Sequence, residues 1–174
     1  MSGFASRAPS APVLRAWGFV LALASVILPA LPLGPLFAQP PLPLAVLWAA
    51  YGWAAEDEST WRAPVLLALF GIVHDQLAGG PYGLFVMLYL STYLIGRFAA
   101  AMMSAPNLVS LWGGFIVTAL LTVLIVLLIA RVITPIAIIP YAEAAAITAL
   151  LFPLVRPLYM SAAPSMRPQP GLKR

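Results

Sequence analysis

Asp75 and His74, a carboxylate and the chain's one histidine, stand side by side in Gly71-Ile72-Val73-His74-Asp75-Gln76-Leu77-Ala78-Gly79-Gly80-Pro81-Tyr82-Gly83. Apolar runs flank this stretch, Val65 to Phe70 before it and Leu84 to Ile95 after it. An ionisable group inside a membrane-spanning segment is costly to bury and is therefore a functional candidate by default. Their spacing argues against chemistry between the two. Neighbours on a helix point about 100° apart, so they do not form a catalytic pair. His74 reads first as a histidine hydrogen-bonded within a bundle, and second as a proton relay. Ser91, Thr92, Ser104 and Ser110 have no obvious base, and no Gly-x-Ser-x-Gly elbow occurs. Ser91 and Thr92 are expected to hydrogen-bond within or between helices. No phosphate loop or metal-ligand cluster is present, and no cofactor is implied. The absence of cysteine excludes disulfides, thiolate metal sites and cysteine nucleophiles.

The surrounding chain must position that polar notch. Of its 174 residues, 63% are hydrophobic and 8% charged, and its mean hydropathy is +1.00. A soluble domain carries about a quarter charged residues, so the composition is that of an all-α, polytopic membrane protein. The net charge of +4 does not point to nucleic acid, because the basic residues lie at segment ends rather than in a patch. A cytoplasmic positive bias explains them.

Six transmembrane helices are expected, over residues 16–38, 44–55, 64–78, 82–103, 108–130 and 136–155. The first is interrupted by Pro29, Pro32 and Pro35. It is too long for a signal-peptide core, and Leu36-Phe37-Ala38 matches a cleavage site poorly. An uncleaved helix with a kinked outer end is expected. Trp48, Tyr51 and Trp53 of the short second helix suit an interfacial belt. Glu56-Asp57-Glu58 and Arg62 must reach water. Pro64 fits the first turn of the third helix, which is short for a full span. Gly79 to Gly83 suits a tight turn with unusual backbone angles. Gly71 and Asp75, like Gly18 and Ala22 or Gly96 and Ala100, are four apart, a small-residue helix-packing signal. Residues 1–157 make the membrane domain, and 158–174 a proline-rich basic tail, expected to be cytoplasmic and disordered.

With six spans and cytoplasmic termini, eight of the nine basic residues fall inside and Arg131 alone outside, as the positive-inside bias demands. Helix direction then sets depth. Asp75 lies about a turn below the outer end of the third helix, Arg131 at the outer end of the fifth, and Glu143 roughly 10 Å down the sixth. Asp75, Arg131 and Glu143 are thus candidates for a buried polar network in the outer half, since isolated charges there are expensive. Alternatively Arg131 snorkels to the headgroups, and the acids are neutral or hydrated.

Gly71-x3-Asp75-x-Leu77-x-Gly79-x3-Gly83, followed by an apolar helix ending in Tyr93-Leu94, resembles the MreD family of bacterial rod shape-determining membrane proteins. The layout is similar too: a short basic start, a first helix ending at Leu28-Pro29, a short second helix after prolines, and a last helix with Phe152-Pro153 and then Arg156. The resemblance implies a fold like the six-helix substrate-binding subunit of energy-coupling-factor transporters, in the bacterial inner membrane. It also implies a non-enzymatic role beside the single-span MreC, the actin-like MreB filament and the cell-wall elongation synthases that insert peptidoglycan. Asp75, Gly79 and Gly83 match the family motif. Gly71, His74, Asp75, Gly79, Gly80 and Gly83 accordingly form the candidate structural or partner-facing site. The Glu56-Asp57-Glu58 loop and the long proline tail depart from the family pattern. Two other classes compete: a solute-binding transporter subunit, using the outer-half polar groups as a pocket, and an intramembrane enzyme, for which paired catalytic groups are missing.

Overall fold

The computed structural model describes residues 11–28, 44–56, 61–79, 81–103, 107–133 and 138–160. Six helices account for nearly all of them: α1 (Ala11–Ile27), α2 (Ala45–Glu56), α3 (Arg62–Ala78), α4 (Leu84–Met102), α5 (Leu108–Ile133) and α6 (Ile138–Tyr159). Three stretches, Leu84–Met102, Leu108–Val132 and Ile139–Tyr159, are long and apolar enough to cross a membrane, and Val13–Ile27 is a shorter apolar helix. The 26 residues of α5 extend about 39 Å at the α-helical rise, more than the ~30 Å of a hydrocarbon core.

Boundaries differ from expectation mainly at helix ends. The α5 helix runs three residues past Ala130 and takes Arg131 into its last turn. The α6 helix continues to Tyr159 through Pro153 and Pro157. Proline inside an apolar bundle helix is tolerated where neighbouring groups re-satisfy the freed carbonyls. The α1 helix begins at Ala11 rather than Ala16. The proline-interrupted stretch 29–38 and the tail after residue 160 lie outside the described residues.

The largest correction concerns α2. Trp48 and Tyr51, expected at the interface, are 2% and 0% exposed. From Ala45 to Ala55 this helix is apolar on every side, and such a helix is stable only when surrounded. It packs against α1, α3, α4 and α6. Phe115 and Phe152, stacked at 4.4 Å, each meet the Tyr51 ring edge-on, at 5.3 and 5.6 Å. Trp53, nearer the charged end of α2, is half-buried.

Burying a helix start strands backbone N–H groups, and α6 supplies the remedy. The Leu44 N–H donates to Thr148 Oγ1 at 2.8 Å, and that hydroxyl donates to Ala144 O at 2.5 Å. Trp48 Nε1 donates to Thr148 O at 2.7 Å. Thr148→Val keeps the shape and removes the acceptor, so it should cost about 1–3 kcal/mol. Thr148→Ser should cost less. Melting temperatures in detergent check the order, and equal losses would show that shape rather than the hydroxyl matters.

Candidate functional site

Gly71, Asp75, Gly79 and Gly83 recur at intervals of four, and each does a separate job where α3 turns into α4. A Cβ on Gly71 would lie 2.5 Å from Val86 Cα and 2.7 Å from Val86 N, so only glycine lets the two backbones come this close. One turn later on the same face, Asp75 reaches the start of α4. Its Oδ2 accepts from the Gly83 N–H and its Oδ1 from the Phe85 N–H, each at 2.9 Å. Phe85 is the second residue of α4, where a capping side chain ordinarily receives its hydrogen bond. Here the cap comes from the preceding helix. The carboxylate also lies at the positive end of the α4 dipole.

Gly79 and Gly83 make that reach possible. They adopt φ of 63° and 88°, left-handed values that residues with a Cβ rarely take. The first ends α3 and the second precedes α4. Leu84 N donates to Pro81 O at 3.2 Å, and Met87 N to Gly83 O at 2.9 Å, which starts the regular ladder. Gly80 lies outside the described residues.

His74 ties the same helices together through the neighbouring face of α3. Its ring stacks on Phe85, centroids 3.6 Å apart and 7° from parallel. Its Nδ1 shares a hydrogen bond with the Tyr89 hydroxyl at 2.5 Å. Phe85 and Tyr89 are four apart on α4 and so present one surface to α3, while Phe85 also meets the Tyr141 ring of α6 at 6.2 Å. His74 and Asp75 are 7% and 4% exposed. They act side by side without touching chemically: one docks the rings of α4, and the other caps its first turn.

The expected network of Asp75, Arg131 and Glu143 does not form. Arg131 and Glu143 are both exposed, on α5 and α6, whereas Asp75 is buried and satisfied by backbone N–H groups. Similar depth does not bring charges together when their helices turn them outward. Among the described residues, no three His, Cys, Asp or Glu side chains gather as they would to hold a metal ion. Phe85, Tyr89 and Thr148 are the participants that sequence reasoning missed. The spacing of the first two on a helix directly after the glycine motif was their available signal.

In chemical terms the arrangement joins two helices: both carboxylate oxygens are engaged by backbone, and the imidazole is held between a ring and a phenol. Compared with models of protein families, with curated proteins and with solved structures, the chain matches none.

Proposed function

We propose that this chain is a non-enzymatic scaffold of the MreD type, in the bacterial inner membrane. In this reading it spans six times with both termini cytoplasmic. It works with an MreC-like single-span protein, and through it with MreB and the cell-wall synthases, to guide peptidoglycan insertion during rod-shaped growth. One observation carries the reading: Asp75, the acidic centre of the motif, spends both oxygens on the α3–α4 turn. A carboxylate used this way builds a rigid corner and is not spare for turnover.

The topology has support from side chains that meet at one end. Arg15, near the start of α1, pairs with Glu56 at the end of α2 at 3.3 Å. Arg62 at the start of α3 and Tyr159 at the end of α6 line the same crevice. Helices alternating in direction across a bilayer bring those ends together, on the side where the basic residues gather.

A solute-binding subunit of an energy-coupling-factor-type transporter is the second reading, and it needs room among the outer ends of the helices. The described residues there, including Leu44, Leu84, Val126 and Tyr141, enclose a cavity of about 10 Å³. That is about one water's worth of space.

Copurification from a native membrane in mild detergent, followed by mass spectrometry, tests the proposal. Recovery of a single-span protein with a periplasmic coiled coil is the expected result. Recovery of a transporter ATPase module in its place would reverse the order of the two readings.

A further inference from the structure

Around α2 the other five helices touch in the order α1, α3, α4, α5, α6 and back to α1, so α5 and α6 present adjoining outer faces. On α5 an exposed stripe runs Leu120, Leu124, Leu128 and Arg131, at spacings of four, four and three. On α6 it runs Ile139, Glu143, Ala146, Leu150 and Leu154, at spacings of four, three, four and four. Such spacing keeps each set on one side of its helix. Each stripe is apolar but for one charge, and the two charges are opposite in sign. A purely apolar stripe needs no protein against it, because lipid tails are as apolar as leucine. A carboxylate on the stripe is different, since ionised groups in membrane helices ordinarily turn toward protein or water. Glu143 lies four residues inside the apolar stretch Ile139–Tyr159, about 6 Å along the helix.

Arg131 and Glu143 stand near one height yet form no ion pair among the described residues. Val126 and Leu127 of α5 line one small cavity with Tyr141 of α6 and with Leu84, beside the Asp75 turn. Arg131 lies four residues beyond Leu127 and Glu143 two residues beyond Tyr141, which separates their backbones by about 9 Å in height. Their side chains close that gap. Each Cα–Cβ bond leans toward its helix's N-terminus, and α5 and α6 run in opposite directions, so Arg131 leans down and Glu143 up. At this end of the bundle His74 and Asp75 are engaged by α4, and the joining stretches 28–44 and 133–138 contain no acidic or basic residue. The two exposed charges therefore have no other charged group beside them to answer them.

We infer that the α5–α6 face is the interface of a two-fold symmetric homodimer, in which Arg131 of each copy meets Glu143 of the other. One charge of each sign on a single face is self-complementary under a two-fold axis. An axis along the membrane normal leaves both heights unchanged, and Ala146 beside Glu143 lets the facing helix come close. A different protein would have to supply both signs at matched heights. The interface rests on the membrane-embedded reading alone and not on any cell-wall role, so failure to recover a coiled-coil partner would leave it standing.

Fluorescence energy transfer between full chains labelled at the C-terminus, in phosphatidylcholine liposomes of varied protein density, measures the dimer. One polar contact between membrane helices is worth about threefold in an equilibrium constant. Arg131→Glu or Glu143→Arg sets like charges together in both symmetric contacts, so each should weaken the dimer at least about tenfold. Mixing the two reversed variants restores opposite charges in both contacts of the mixed dimer, and transfer between them should return to within about threefold of wild type. Arg62→Glu, a reversal at the opposite end of the bundle, should leave the dimer unchanged. Wild-type chains that stay apart at every density would overturn the interface and leave the face to a partner of another kind. Dimers indifferent to both reversals would overturn it too, because each charge would then simply reach the headgroups. Loss in both reversals with no recovery on mixing would place the pair within one chain and equally overturn it.

Discussion

Asp75→Leu should lower the detergent melting temperature further than any other single change in the α3–α4 turn. The leucine leaves the Gly83 and Phe85 N–H groups without their acceptor, and the second of these bonds is buried. A buried donor left unsatisfied costs about 1–3 kcal/mol. Loss of an anion from a helix N-terminus adds about 0.3–1 kcal/mol. Water cannot readily replace the acceptor at the buried Phe85 N–H as it would on a soluble surface. Asp75→Asn is expected to be milder. Its single amide oxygen can serve one of the two N–H groups, while its NH₂ faces the other donor. Roughly half of the capping free energy should survive.

Gly71→Val should produce the second large effect, by a different physical route. The added Cβ meets the Val86 backbone, which cannot rotate aside as a flexible side chain would. Overpacking costs about 1–3 kcal/mol where neighbours can yield, and this site belongs at the upper end of that range. The only relief is to separate α3 from α4, which draws Asp75 away from the first turn it caps. Gly71→Val and Asp75→Leu should therefore be coupled, the double variant losing less than the sum of the singles. Melting temperatures of the four proteins in the cycle measure the coupling. Additive losses would mean that the close approach and the cap are independent.

The part of this site that could be read from the sequence follows from the α-helical repeat. Gly71 and Asp75 had to share a face, and Gly79 to Gly83 had to contain a turn that favours glycine. What could not be read was rotation about the helix axis. Depth follows from the rise per residue, which set Asp75, Arg131 and Glu143 at comparable heights. Azimuth follows from an apolar stripe, and α5 and α6 are apolar on nearly every side, so nothing in the sequence told which way Arg131 or Glu143 would face. The same lack of a polar face hid the position of α2: Trp48 and Tyr51 suit an interface and a core equally well, and burial by four neighbours decided between them. Thr148 was invisible because its partner, Leu44 N–H, is 104 residues away. The crevice beside the Arg15–Glu56 pair draws on four separate helices and could not be assembled without their arrangement.

The most direct measurement compares wild type, Asp75→Asn and Asp75→Leu for melting temperature and for recovery of the coiled-coil partner, both at matched protein abundance. If Asp75 serves as a cap, partner recovery should fall in step with folded stability, partly for asparagine and steeply for leucine. An asparagine variant that melts like wild type yet loses its partner completely would contradict this, and would assign the carboxylate's charge a role beyond the turn.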